Sequence, residues 1–227
     1  MKSPKIFKKS LAVTVATLCL PMMSLGLVSQ SAKAEGVSAD LTIASMYLWR
    51  GLNVSGTSPA LSSNVQYDHS SGVYAGSWLS SEGATGSYEI DFFAGYGGSA
   101  GDISYGIGAA GYYYPEIMGS PKSSDIYEVI LSAGFKDYGA TLYVNAEPDE
   151  SDDYKYLSLG GPVGPVSLHA GFTLTSEDSK NYMDFSASYN FTENLAWTVS
   201  YATGDAIAED SAADDPLFVI SYSVPLK

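Results

Sequence analysis

Arg50 is the only arginine in the 227-residue sequence. A guanidinium keeps its charge and presents five donors in a rigid planar fork, so among carboxylates it can brace a wall or set the charge of a passage. Glu89, Asp91, Glu128 and Asp184 fall on the polar side of segments that alternate polar and apolar residues, and His169 does the same in another. Facing one aqueous lumen, these carboxylates would favour cations. Paired with Arg50, Lys155 or tyrosine hydroxyls, they would instead close it.

Other groupings admit blander readings. The runs Asp149–Asp153 and Glu209–Asp215 could offer oxygen ligands to Ca²⁺ or Mg²⁺. They lack EF-hand spacing and read better as solvated loops. His69 with Ser70 and Ser71 could supply a base and a nucleophile, but a triad needs a third group in reach. With Gly72 the segment reads as a tight turn. Gly106 to Gly111 matches the Gly-x-Gly-x-x-Gly spacing of nucleotide-binding turns, which needs a following helix. Here it lies inside an alternating segment and leads into Tyr112-Tyr113-Tyr114-Pro115, so small residues in a sheet wall explain it better. Two histidines and one cysteine give little for a transition metal to bind. No cofactor is expected.

The chain opens with a basic stretch, Lys2 to Lys9, followed by a mostly apolar run over 11–28 and then Ser31-Ala32-Lys33-Ala34. This is the pattern of an export signal over 1–34 with cleavage after Ala34, rather than a membrane anchor, because Pro21 interrupts the run. Cleavage removes Cys19 and five basic residues, leaving 193 residues with 6 basic against 25 acidic, a net charge of −19. That charge argues against nucleic acid as a partner, since phosphate binding needs a Lys/Arg footprint. A cysteine-free mature chain has no disulfide and no thiolate. No later run approaches 18 consecutive apolar residues.

The remaining residues, 35–227, read as one domain of strands. Period-two alternation recurs over twelve segments, roughly 38–52, 60–68, 73–82, 87–99, 103–115, 125–136, 139–148, 154–161, 166–176, 181–191, 195–204 and 216–227. Most reach the 9–11 residues that a tilted strand needs to cross a bilayer. Connections alternate between short (His69–Gly72, Ala100–Asp102, Pro162–Pro165, Thr192–Asn194) and long and polar (Asn53–Pro59, Ile117–Ser124, Asp205–Asp215). Short turns at one end and long loops at the other suit an outer-membrane barrel with both termini on the periplasmic side. In such a barrel the apolar face meets lipid and the polar face meets the lumen. A soluble barrel shows the same alternation inverted; the export signal, strand lengths and absent cysteines favour the membrane version. Parity then sends Arg50 inward, opposite Leu41, Ile43, Tyr47 and Trp49. Tyr47, Trp49, Tyr74, Trp78, Tyr189 and Trp197 fit interfacial girdles, or plain core packing in a soluble barrel.

Tyr47-Leu48-Trp49-Arg50-Gly51 and the later His69-Ser70-Ser71-Gly72-Val73-Tyr74-Ala75-Gly76-Ser77-Trp78 carry a resemblance. Their Tyr-x-aromatic-Arg-Gly and His-x-Ser-Gly-x-Tyr-x-Gly-x-Trp patterns resemble those of TorF-type porins, Gcw-type conserved proteins of the outer membrane. The family positions are Tyr47, Trp49, Arg50, Gly51, His69, Gly72, Tyr74, Gly76 and Trp78. The resemblance implies a porin-like barrel. Many outer-membrane proteins end in Phe, whereas this chain ends Pro225-Leu226-Lys227.

The expectation is therefore an all-β, antiparallel transmembrane barrel of about twelve strands. It would pass small solutes or ions passively, with a preference for cations and no catalytic step. Pore-lining candidates are Arg50, Glu89, Asp91, Glu128, His169 and Asp184. The expected surroundings are outer-membrane lipid and lipopolysaccharide. A uniformly apolar outer face assigns no oligomeric state. Two other readings stand beside this one: a closed structural or adhesin-type barrel acting through its acidic loops, and an outer-membrane hydrolase.

Overall fold

The structure is a computed structural model that describes residues 35–81, 88–115, 126–146, 153–207 and 215–226. The expected export signal lies outside the described residues, as does most of both acidic runs.

In chain order the strands are β1 (Gly36–Ala44), β2 (Leu48–Trp49), β3 (Leu52–Asn53), β4 (Ala60–Asp68), β5 (Val73–Ser81), β6 (Tyr88–Ala100) and β7 (Ile103–Tyr113). Then come β8 (Ile126–Phe135), β9 (Tyr138–Asn145), β10 (Lys155–Val163), β11 (Val166–Leu174), β12 (Met183–Asn190), β13 (Leu195–Thr203) and β14 (Leu217–Leu226). All but β2 and β3 form a closed, antiparallel, twelve-stranded barrel in which each strand pairs with the next. β1 closes the circle, pairing with β14 from Ala39↔Leu226 to Ala44↔Ser221 and with β4 from Gly36↔Asp68 to Ala44↔Ala60. Closure leaves no edge strand with unpaired N–H and C=O groups.

The burial pattern is that of a membrane barrel. On β14, Phe218 and Ile220 are 59% and 58% exposed, whereas Val219 and Ser221 between and beside them are buried. Leu41, Ile43, Leu61, Val65, Leu131, Leu168 and Phe185 likewise turn outward, while Thr42, Ser62, Thr198 and Ser200 are buried inside. A soluble domain would place those apolar side chains within, because each one buried removes about 1.5–3 kcal/mol of unfavourable contact with water. An outward apolar band around a polar interior matches lipid outside.

The interior is uneven. The wall from β5 to β10 carries the large cluster of Tyr74, Phe93, Tyr112, Ile130, Tyr143 and Tyr156. The other wall carries small residues: Ala44, Ser62, Ala196, Thr198, Ser200, Ala202 and Ser221 are all buried. Gly95 and Gly108 leave room for Tyr74; a Cβ on Gly108 would come within 2.7 Å of the Tyr74 hydroxyl. The Gly-x-Gly-x-x-Gly run is thus part of the wall of β7.

One expected strand and four expected girdle residues need correction. The first segment does not run from 38 to 52. The ladder to β14 ends at Ala44, with Ser45 N–H still donating to Ile220 O at 2.9 Å, and the chain then folds inward. Leu48–Trp49 and Leu52–Asn53 pair only with each other. Alternation misleads here because the segment is enclosed by the barrel: the successive residues Tyr47 and Leu48 are both buried. Tyr47, Tyr74 and Trp78 also belong to the interior rather than a girdle, and Trp49 sits in the hairpin with its ring against Arg50. In β5 the aromatic side chains share the lumen face with Gly76 and Ser80, so residue type alone does not show the facing. Tyr189 and Trp197 do turn outward, as cross-strand partners.

Candidate functional site

The site is built around the hairpin that leaves β1. Its two central residues, Arg50 and Gly51, have φ of 47° and 82°. Left-handed backbone at both central positions is what a two-residue type I′ turn requires. Just past the hairpin, Tyr47 N–H donates to Ser55 Oγ at 2.8 Å, Val54 N–H donates to Tyr47 O at 2.9 Å, and Asn53 Nδ2 donates to Gly56 O at 2.7 Å. These bonds tie the ends of the hairpin together so that its tip can project rigidly.

The tip spans the lumen. Leu48 packs on Ala44 and Val219 of the small-residue wall. Gly51 abuts β12 and β13: a Cβ there would overlap the Asp184 Cβ and lie 3.4 Å from that of Ala202. Arg50 reaches the large-residue wall. Its Nη2 donates to both Glu128 carboxyl oxygens at 2.8 Å, and its Nη1 donates to Tyr154 Oη at 2.8 Å. Tyr182 Oη donates to the Arg50 carbonyl at 3.1 Å. Rings of Trp49, Tyr143, Tyr154 and Tyr156 have centroids 4.6, 4.9, 5.4 and 4.6 Å from the guanidinium carbon. Glu128 is the charged partner of the buried guanidinium.

Tyrosines satisfy the carboxylates. Tyr112 Oη donates to Glu128 Oε2 at 2.6 Å. Tyr47 and Tyr114 hydroxyls donate to the two Glu89 oxygens at 2.8 and 3.1 Å. Tyr156 Oη donates to Asp184 Oδ2 at 2.8 Å. A buried ion pair is tolerable only when its remaining lone pairs find donors, and the hydroxyls fill that need. Asp91 differs: it is fully buried, and neither of its carboxyl oxygens has a donor among the described residues.

All six sequence candidates therefore sit on the inner surface. Arg50 and Glu128 are in direct contact, Glu89 and Asp91 share one face of β6, and His169 lies beside Asp184 at 3.3 Å. Lys155 takes no part; it pairs with Asp153 outside the lumen cluster. His69 and Ser71 form a turn, with His69 Nδ1 2.8 Å from Ser71 Oγ and Gly72 at φ 95°. Sequence reasoning missed the tyrosines at 112, 114, 143, 154, 156 and 182, and missed Ser158. The available signal was an excess of tyrosine, 18 against 8 Phe, in a chain with many carboxylates and few cations.

No curated protein matches this sequence. Among solved structures, the chain superposes on KdgM porin in complex with disordered oligogalacturonate with a TM-score of 0.50 and 9% identity, over 85% of this chain and 99% of that one. It also superposes on outer membrane phospholipase A from Escherichia coli with a TM-score of 0.48 and 12% identity, over 85% and 90%. At such identities the likeness is one of fold, a closed outer-membrane-type barrel. A sequence profile described as "Bacterial protein of unknown function (Gcw_chp)" matches residues 29–216, and the chain belongs to that family.

Proposed function

We propose that the protein is an outer-membrane channel for passive diffusion of small solutes or ions, with the Trp49–Gly51 hairpin tip as its constriction. The observation that carries this reading is the pairing of an outward apolar band with an inner surface that holds the Arg50 guanidinium and, among the described residues, the carboxyl groups of Asp68, Glu89, Asp91, Glu128 and Asp184. Lipid-facing strands need no such interior for stability; a polar interior is what a water-filled passage uses. The resemblance of residues 47–78 to TorF-type porins points the same way. Residues 1–34 would direct export, the long connections would face outward, and lipid and lipopolysaccharide would surround the barrel. With carboxyl groups outnumbering Arg50, passage would favour cations over anions.

A second reading rests on the seating of the hairpin. Leu48, Arg50, Glu128 and Asp184 are all buried, so the lumen is filled at their level. On that reading the barrel is a closed surface protein. Single-channel conductance of the refolded mature chain in a planar bilayer, under a KCl gradient, separates the two. Stepwise currents with a cation-sided reversal potential support the channel. Absence of current from both the folded wild type and Arg50→Ala overturns it in favour of the closed barrel.

A further inference from the structure

Ser158, His169 and Asp184 stand on three consecutive strands, β10, β11 and β12, and all point into the lumen. His169 Nε2 lies 3.0 Å from Ser158 Oγ, and its Nδ1 lies 3.3 Å from Asp184 Oδ1. One ring nitrogen thus faces a hydroxyl and the other a carboxylate. The 3.3 Å approach is a charge contact rather than a hydrogen bond, and neither Nδ1 nor Oδ1 has a hydrogen-bond partner among the described residues.

Register and a glycine produce this arrangement. Gly171 pairs with Ser158 on one side and with Asp184 on the other. A Cβ at Gly171 would run into Tyr156 Oη and Asp184 Oδ2. The missing side chain leaves room for the Tyr156–Asp184 hydrogen bond, which fixes the second carboxyl oxygen and turns the first toward the imidazole. Asp184 is fully buried, whereas the His169 side chain keeps 17% exposure. His169 is the fourth residue of β11 from the short-turn end, below the packed hairpin tip. A dry acid, a base that meets solvent and a hydroxyl at hydrogen-bond distance are the parts of an activated nucleophile.

We propose that Ser158, His169 and Asp184 form an acyl-transfer site in the lumen wall, acting on small uncharged carboxylic esters that enter from the short-turn end. Ser158 Oγ adds to the ester carbonyl carbon while its proton passes to His169 Nε2. Collapse of the adduct breaks the bond to the alkoxy oxygen, which takes that proton and leaves as the alcohol. Water then adds to the acyl-serine, His169 relays its proton back to Ser158 Oγ, and the carboxylic acid departs. Asp184 holds the tautomer with Nδ1 protonated, which frees Nε2 to act as the base. The surrounding carboxyl groups disfavour anionic esters.

The test uses the refolded mature barrel in detergent micelles, with folding verified by heat-dependent gel mobility. The probes are a neutral fluorophosphonate and 4-nitrophenyl acetate. The expected result is a label that peptide mapping places on Ser158, together with ester turnover that falls about 100-fold in Ser158→Ala and in His169→Gln. Ser62→Ala, altering another lumen serine, keeps the wild-type rate. A label absent from the wild type or spread over several lumen serines overturns the proposal, as does turnover that Ser158→Ala leaves unchanged. The label mapping needs no variant, so a misfolded substitution does not spare the idea.

Discussion

Gly51 and Asp184 lie in van der Waals contact across the lumen, with no space between them for even a methyl group. The contact joins the tip of a hairpin that begins after β1 to the wall on β12, 133 positions further along the chain. Gly51 meets two demands at once, since its φ of 82° is also one that side chains disfavour. Gly51→Ala should therefore unseat the tip. The backbone and overpacking terms together suggest a loss of about 2 kcal/mol. Equilibrium unfolding of the barrel in lipid vesicles reads the loss, and single-channel recording should show larger unitary currents. Gly36→Ala, where a Cβ meets nothing within 4 Å, is the matched control and should change neither.

The Arg50–Glu128 pair should be strongly coupled. Both side chains are buried, and each is the other's charged partner. Removing one member leaves an uncompensated charge, at a cost of about 3–5 kcal/mol, whereas removing both leaves none. Glu128→Gln and Arg50→Ala should each destabilise the barrel by more than half of what the double variant does. Urea titrations of the four proteins give the coupling directly. Additive losses would mean that the ion pair contributes nothing specific.

Much of this barrel was legible because period two survives in every wall strand. The expected segments after the first agree with β4 to β14 within three residues at either end. The first segment overran because its turn is built on Arg50 rather than Asn or Asp, so the type I′ signature was absent from the composition. Facing was legible for Glu89, Glu128 and Asp184, whose polarity and parity agree. It was not legible for Tyr74 or Trp78, since an aromatic ring suits either lipid or a lumen floored by Gly95 and Gly108. The approach of His169 to Ser158 and Asp184 depends on register across three strands, which alternation within each strand does not encode.

Charge preference is open to a direct measurement. Glu89 and Asp91 share one face of β6 on the inner wall, and neither belongs to the Arg50–Glu128 pair. In an Arg50→Ala background, where the proposed constriction is loosened, neutralising both as Glu89→Gln and Asp91→Asn should move the reversal potential under a KCl gradient toward zero. One of the Tyr47 and Tyr114 hydroxyls can still donate to the glutamine oxygen and the other can accept from its amide nitrogen, so the fold should survive. An unchanged reversal potential would place the selectivity elsewhere, in the long connections.

Val65 and Asn64 are neighbours near the centre of β4 with opposite facing. Val65 is 47% exposed on the outer face, and Asn64 is half-buried on the inner one. If lipid surrounds the barrel, Val65→Arg places a charge near the middle of the bilayer and should cost about 2–4 kcal/mol. Asn64→Arg places the same charge in a polar lumen among carboxyl groups and should cost less than about 1 kcal/mol. In a soluble barrel the order would reverse, because the outer face would be in water and the inner one enclosed. The pair introduces the same residue at two adjacent positions of one strand. Unfolding of both variants in lipid vesicles reads the difference, and its sign decides which face of this barrel meets the membrane.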